Sequence, residues 1–349
     1  MRLIRATVAQ SGPFERVELP FCDEEARPRS LSVVHGGSGV GKTTVLHAVA
    51  LTRPGHAVAQ LVRGANDGVP PHAACFWQLG ADDPARPHAL TVVSPHVRFS
   101  ADDDVEALRR KEQAYYDRLA PEGGFAFLLI PSARWFSRQP IVLGAPVRGV
   151  ARYDVKSPLS LDDAARADLA RETKQALSYA AIAEALSGAT ARDDRRFDLF
   201  GAAMREAVDR LCDLVGLRYR GVDPHSLEPV FSEDGSRQLA FDALPTRARH
   251  LIAFAALSVR VLWAAYPDQD PRESEGVIAI DDVELYQDAA VLARLPSALR
   301  EALPEAQWLL TTGSSALAAS VPAGDVVALR RLGDREGIGV FSGHAALTH

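Results

Sequence analysis

Apolar and polar residues alternate over Leu3–Val8 and again over Phe14–Phe21, with Ser11-Gly12-Pro13 between them. A period of two on both sides of such a turn predicts a β-hairpin. The next apolar run is short and β-branched, Val33-Val34, and enters a glycine-dense stretch before the apolar segment Val45–Leu51. That order reads as strand, loop and helix. Cys75–Leu79 and Leu90–Val93 predict a second hairpin across the polar stretch Gly80–Pro87. Glu106–Leu119 reads as a charged helix, and Phe125–Ile130 as a buried strand ending at Pro131-Ser132-Ala133-Arg134.

The middle of the chain is patterned for helices. Ser160 with Asp163 resembles a capping box, and the helical pattern runs on to Ser187-Gly188, where glycine stops it. Phe197, Phe200, Met204, Val208, Leu211 and Val215 recur three or four apart and form one apolar stripe, a packing face. Neither helix carries sustained heptads, so no coiled-coil arm is expected. Leu217–Arg220, Val230–Ser232 and Leu239–Phe241 read as short strands, the last two joined by Asp234-Gly235. Leu251–Trp263 is apolar almost all round and predicts a buried helix. After the polar loop Pro267–Gly276, Val277–Ile280 is apolar on both faces, as in a central parallel strand. Helical residues follow, broken near Pro296, then strands at Trp308–Thr311 and Val326–Leu329.

Composition narrows the class. The 349 residues suffice for one large α/β domain or two smaller ones, and 47% apolar with 24% charged residues is ordinary for a soluble globular chain. A net charge of −6 gives no global electrostatic case for nucleic acid, leaving only a local basic face. Cys22, Cys75 and Cys212 lie far apart without metal-ligand spacing, as core residues of a reducing cytoplasm would. The N-terminus lacks the apolar run of a secretion signal, and no window approaches ~18 consecutive apolar residues, so no membrane span is expected. The expected location is the cytoplasm.

The candidate chemistry lies in Val33–Thr44, VVHGGSGVGKTT. Gly36, Gly41, Lys42 and Thr43 fill the four fixed positions of a phosphate-binding loop. Glycines let successive N–H groups curl toward a polyphosphate, and the following helix aims its positive end at the same point. Gly36, Gly37, Ser38, Gly39, Val40, Gly41, Lys42, Thr43 and Thr44 are therefore the expected nucleotide-binding residues, with ATP and Mg²⁺ as ligands. Lys42 would reach the β/γ-phosphates and Thr43 the metal. A loop that merely turns is the bland alternative.

The second half of such a site is an acid on a neighbouring strand, and GVIAIDDVE supplies Asp281 and Asp282. Asp281 would hold Mg²⁺, and Asp282 would stand where a base or water-orienting carboxylate is needed. Two solvated acids after a strand are the alternative. About two-thirds of the chain separates Lys42 from Asp281, too much for a compact kinase or small GTPase, and no guanine-reading Asn/Thr-Lys-x-Asp motif occurs. Arg134, Arg138, Arg148 and Arg152 form a loose basic stretch that reads as a solvated loop, and His35 beside the phosphate loop reads as packing.

These motifs resemble the RecF/SMC/OLD-like ATP-binding proteins, in particular the coiled-coil-free AAA ATPases called "ATP-binding protein involved in virulence", among them ATPase subunits of some Septu- and retron-type anti-phage systems. MRLIRATVAQSGPFERVELPF resembles the family's opening hairpin, and IPSAR (Ile130–Arg134) its proline-Ser/Ala-x-Arg segment. AFDALPTRARHLIAFAALSVRVL stands where members carry LSxGE-type signature helices. IAIDDVELYQD is similar to IDE-x-ELHLHP, and QWLLTTGSSAL to the strand ending in TTHSP. The resemblance implies an α/β P-loop NTPase of the ABC-ATPase head type: a mixed central sheet, an antiparallel β subdomain, a helical insertion and no coiled-coil arm. It implies an N-terminal ATPase lobe over 1–100, a mostly helical insertion over 101–235 and a C-terminal lobe over 236–349. It also implies a homodimer through the nucleotide sites and a separate effector protein. The sequence ends soon after the TTHSP-like strand, so any nuclease of the full OLD type is expected on another polypeptide.

Three departures bear on the activity. The family's catalytic Glu is Asp282, one methylene shorter, and a misplacement of about 1 Å can cost roughly a hundredfold in rate. Its switch His is Gly313, and its signature Ser and Gly correspond to Pro245 and Arg247. Arg247 has two readings: a finger stabilising γ-phosphate charge across a dimer, or a surface residue in a decayed motif. The ELHLHP histidines are replaced by Tyr286 and Asp288, and only Glu284-Leu285 persists. Three functions stand open: an ATP-driven switch with slow hydrolysis, a nucleotide-holding scaffold or sensor, and a repair factor acting on DNA.

Overall fold

The computed structural model describes residues 1–51, 72–78, 90–93, 126–141, 143–145, 166–187, 195–233, 237–333 and 337–347. In chain order the first elements are β1 (Arg2–Ser11), β2 (Phe14–Pro20), β3 (Leu31–Gly36), α1 (Lys42–Leu51), β4 (His72–Gln78) and β5 (Leu90–Val93). Next come β6 (Phe127–Ile130), β7 (Ala133–Trp135), β8 (Arg166–Asp168), α2 (Leu169–Ser187), α3 (Arg195–Cys212), β9 (Leu217–Val222), β10 (Pro229–Glu233) and β11 (Arg237–Ala240). The last are α4 (Thr246–Ala265), β12 (Gly276–Ile280), α5 (Ala289–Ala302), β13 (Ala306–Thr312), α6 (Ser315–Ala319), β14 (Val326–Arg331) and β15 (Ile338–Ser342).

Six strands build the central sheet in the order β15-β14-β3-β13-β12-β6, all parallel except β15, which runs antiparallel to β14. Alternation along these strands sorts their side chains between two cores. Leu31, Val33, Ile278, Ile280, Trp308 and Leu310 face the core shared with α2, α3, α4 and α5. Val34, Val277, Ala279, Leu309, Val327 and Leu329 face the core shared with α1 and the antiparallel sheet β2-β1-β4-β5. A strand buried on both faces must be apolar at every position, which explains the unbroken run in β12. Parallel register brings Ile130, Ile280 and Leu310 level and pairs Thr312 with His35. The carboxyl ends of β6, β12, β13 and β3 therefore share one rim, where α/β sheets place ligands.

α4 is, among the described residues, the one helix long and apolar enough by composition to cross a membrane. Its side chains are instead packed inside the protein, from His250 to Leu257 without a gap. The stripe expected on α3 forms, with Phe200, Met204, Val208 and Leu211 buried.

Several expectations are corrected. Residues 160–165 lie outside the described residues, but 166–168 form a strand, so the helix expected from Ser160 begins at Leu169. Asp168 caps it, its Oδ1 accepting the Ala170 N–H at 3.1 Å. The strand expected from Phe125 begins at Phe127, and Phe127, Leu128 and Leu129 are half-buried because β6 lies at the sheet's edge. Pro296 does not break its helix; α5 runs through it. An interior proline costs about 3 kcal/mol, whereas each fully buried Val or Leu contributes about 1.5–3 kcal/mol. Val291, Leu292, Leu295 and Leu299 on the same helix outweigh the lost hydrogen bond. Phe241 leaves β11 and opens a 3₁₀ turn. β15 and the short parallel pair β7-β8 are not anticipated by the pattern. Cys75 and Cys212 are buried and Cys22 is half-exposed. Glu106–Leu119, Asp234-Gly235, Arg148 and Arg152 lie outside the described residues.

Candidate functional site

The loop between β3 and α1 is built on close approaches. A Cβ on Gly36 would stand 2.7 Å from both the Leu329 carbonyl oxygen and Val40 Cγ2. Gly41 has φ +97°, and a Cβ there would stand 2.4 Å from the Phe14 ring. Both positions need glycine, one for β14 packing and one for the left-handed backbone. Val40 is buried under the loop, while Gly37, Ser38 and Gly39 face outward. Thr44, half-buried in the first turn of α1, packs against Gly12 of the opening hairpin.

Lys42 folds over the loop mouth, Nζ donating to the carbonyl oxygens of Gly36 at 3.1 Å and Gly37 at 3.2 Å. The same Nζ stands 3.8 Å from Asp282 Oδ1. Thr43 Oγ1 donates to Asp281 Oδ2 at 2.8 Å. Residues far apart in sequence thus converge because β13 alone lies between β3 and β12.

Asp281 is fully buried, and its second oxygen is also engaged: Thr311 Oγ1 donates to Oδ1 at 2.6 Å. The Thr311 hydroxyl in turn accepts the Asp282 N–H at 2.7 Å. Asp282 has a left-handed φ of +42°. Burial, then the adjacent Asp281 charge, pushes its carboxyl above the usual range, while Lys42 and Arg134 pull it back. Glu284 reaches across the rim, and its Oε1 accepts the Gly313 N–H at 2.6 Å. A Cβ on Gly313 would stand 3.4 Å from that oxygen and 3.7 Å from the Gly36 carbonyl oxygen. Position 313 therefore faces the β3–α1 loop, with Glu284 beside it.

Sequence reasoning missed Thr311, Glu284 and Arg134. Arg134 is not a solvated loop residue: it is 5% exposed. Its Nη1 donates to the carbonyls of Pro131 at 2.8 Å and Asp281 at 2.6 Å, and its Nη2 to that of Asp282 at 3.0 Å. Burial lowers the guanidinium to about 10 despite the nearby Asp281, Asp282 and Glu284, so it stays charged at neutral pH. Arg138 is exposed, as expected. His35 is half-buried between β13 and β14, and burial, then Lys42 and Arg330, lowers its pKa. Arg247 is in the first turn of α4, where its Nη1 pairs with Asp288 Oδ2 at 3.0 Å. Its carbonyl accepts from Gln287 Nε2 at 3.2 Å.

Behind Arg134, the guanidinium stands 5.4 Å over the Phe254 ring, and His250 packs edge-on to Phe136 at 4.8 Å and stacks on Tyr286 at 4.9 Å. His250 Nδ1 donates to the Thr246 carbonyl at 2.8 Å, and burial lowers the imidazole from 6.5 to about 4. Because the folded value lies below the unfolded one, the stabilisation is full above pH 6.5 and is lost as pH falls toward 4. The loss expected from this group is about 3 kcal/mol. Urea denaturation at pH 7 and pH 4.5 checks it: His250→Gln should lose less stability on acidification than wild type, by about 2 kcal/mol. Equal losses would contradict the buried neutral imidazole.

The donor set suits Mg²⁺. A hydroxyl and a carboxylate are hard oxygen ligands, and this ion is commonly held by one or two protein groups together with substrate phosphates. Among the described residues no cluster of three or more His, Cys, Asp or Glu side chains is arranged to hold a metal. Thr43 and Asp281 supply one hydroxyl and one carboxylate oxygen, a donor pair of the kind that suits Mg²⁺.

Neither a protein-family model nor a curated protein sequence matches the chain. Among solved structures, an SMC head bound to the C-winged helix domain of ScpA is similar, with TM-score 0.52, 13% identity and 98% of each chain covered. So is an SMC head with an extended coiled coil, bound to the C-terminal domain of ScpA derived from Pyrococcus furiosus: TM-score 0.50, 13% identity, 98% of this chain and 96% of that one. At 13% identity the similarity is one of fold: the chain has the mixed α/β fold of the SMC heads.

Proposed function

We propose that this protein is an ATP-binding, slowly hydrolysing molecular switch that works as a dimer and acts on a separate effector. The observation that carries the reading is the 2.8 Å bond between Thr43 and Asp281, with Lys42 Nζ 3.8 Å from Asp282. In this reading the amides of Gly36–Thr44 surround the polyphosphate, and Lys42 turns from the loop carbonyls to the β/γ-phosphates. Thr43 and Asp281 hold Mg²⁺, which when bound neutralises charge on the phosphoryl oxygens. Asp282 orients the attacking water from one methylene further back than a glutamate would, and Gly313 offers no side chain to the γ-phosphate. Both features favour slow turnover.

Residues 1–100 and 236–349 form the two lobes of one head in this reading, with 101–235 as an insertion. ATP would be sandwiched between two heads in the cytoplasm. The intrachain pair with Asp288 favours a structural use of Arg247 over a finger acting in trans. The compared SMC heads are bound to ScpA, which favours a protein effector here too. The anti-phage setting rests on the sequence resemblance alone. A non-hydrolysing sensor is the second reading, favoured by the same Asp282 and Gly313.

Steady-state phosphate release with Mg-ATP tests the proposal. Turnover is expected well below the ~10 s⁻¹ typical of enzymes, with a dimer that forms or tightens on ATP addition. Tight binding with no phosphate released over hours would select the sensor. No binding at all would end both readings. Arg247→Ala is expected to leave turnover unchanged; a loss of about 10³ or more in the dimer, the scale on which such a finger acts, would restore that reading.

A further inference from the structure

We propose that Arg134 is a positioning residue for hydrolysis: its guanidinium grips the main chain of the Asp281–Asp282 turn from behind and holds the backbone shape that turns Asp282 toward Lys42. The inference deepens the ATPase reading above and rests on it.

Its geometry is that of a staple. Arg134 sits just beyond β6, and its two terminal nitrogens bond one carbonyl at the end of that strand and two at the end of β12. All three acceptors are main-chain oxygens, so what the side chain fixes is backbone direction. A planar guanidinium presents its donors as a fork already in place, and charged donors make the stronger hydrogen bonds. A lysine could deliver the charge but only a single nitrogen. Burying an arginine is unfavourable unless its donors are used; here both terminal nitrogens are used, while Nε is buried without a hydrogen-bond partner among the described residues.

The turn needs such a clamp. Asp282 adopts φ +42°, a region that side chains with a Cβ rarely occupy and that persists where the surroundings over-determine it. Three bonds act on it: its N–H is held by the Thr311 hydroxyl, and its carbonyl accepts from both Arg134 Nη2 and the Leu285 N–H. The Val283 N–H is tied to the Thr311 carbonyl, so without Arg134 the turn keeps its neutral bonds but loses the charged donor shared by the Asp281 and Asp282 carbonyls, and the carboxylate is held less firmly in its place 3.8 Å from Lys42. Thr43 and Asp281 are held from the other side, by their mutual bond and by Thr311. Loss of Arg134 should therefore spare nucleotide binding and reduce the chemical step.

The test compares wild type with Arg134→Met, which fills the space without donors, and Arg134→Lys, which keeps the charge. Mg-ATP affinity is read by calorimetry, hydrolysis in single turnover, and turn order by hydrogen exchange at the Val283 and Leu285 amides, which bond Thr311 and Asp282 carbonyls. The expected result for Arg134→Met is affinity within about threefold of wild type, a hydrolysis rate at least about tenfold lower, and faster exchange at those amides. Arg134→Lys should fall between the two, and it carries the test if the Met variant does not fold. Unchanged hydrolysis in Arg134→Met, or wild-type hydrolysis in Arg134→Lys, would overturn the proposal. So would equal losses of affinity and rate, the mark of a general structural role. If wild type neither binds nor hydrolyses ATP, the ATPase reading fails instead, and exchange then decides alone whether Arg134 orders the turn; unchanged exchange overturns it.

Discussion

Lys42→Ala should abolish measurable Mg-ATP binding while leaving the protein folded. The side chain is the cation at the loop mouth, and its hydrogen bonds go to the carbonyls of Gly36 and Gly37 within its own loop. Gly37 is exposed and its oxygen can exchange Nζ for water; only the oxygen of buried Gly36 loses a partner, so the fold survives. The nucleotide loses charge-assisted bonds worth about 1.5–3 kcal/mol each, and two of them correspond to roughly a hundredfold to ten-thousandfold in affinity. Calorimetry with Mg-ATP, beside a thermal denaturation curve for each protein, separates the two effects. Wild-type affinity in the variant would remove the nucleotide assignment from this loop.

Asp281→Asn should cost about a thousandfold in hydrolysis, the scale on which a preorganised electrostatic group acts in a transition state. Asparagine keeps the shape and still accepts from one of the two threonine hydroxyls, Thr43 or Thr311, but lacks the charge that favours a divalent ion. Its amide N–H₂ would face a hydroxyl that now donates, so one bond must also reverse. The variant should show weak dependence of ATP binding on Mg²⁺, whereas wild type should bind ATP more tightly with the ion than with EDTA. Single-turnover hydrolysis over a range of Mg²⁺ concentrations measures both. Wild-type rates in Asp281→Asn would place the metal elsewhere.

How far the chain could be read depended on whether a feature is local. The glycines of the phosphate loop answer to backbone shape and to neighbours that the fold supplies, yet their spacing, with Lys42 and Thr43, is a property of one short segment. The same holds for the stripe on α3 and for the two-faced apolar run of β12, since periodicity already states which faces are covered. Pro296 shows the opposite case. Its helix-breaking tendency is local, but four buried side chains on α5 override it, and their burial depends on the rest of the protein.

Thr311, Glu284 and Arg134 were illegible for a related reason. Thr311 reads as one more β-branched residue in a buried strand; its hydroxyl gains a role only because β13 lies next to β12. Glu284 stands in the sequence as the retained residue of an ELHLHP-like segment without a role, until the rim brings the Gly313 N–H within 2.6 Å of it. Arg134 is one arginine in a basic stretch, and only the turn beyond β12 supplies carbonyls for its fork.

The sequence alone set out a glycine-rich loop with the spacing of a phosphate-binding loop, an acidic pair after a strand apolar on both faces, and a helical pattern between them. Such signals are set by backbone conformation and periodicity over a few residues. Only the tertiary structure decided which groups meet: that Thr43 closes on Asp281, that Arg247 pairs with its own Asp288, and that Arg134 is buried behind the acids. Strand order and register fix those meetings, and they arise from packing across the whole sheet, which no short segment encodes.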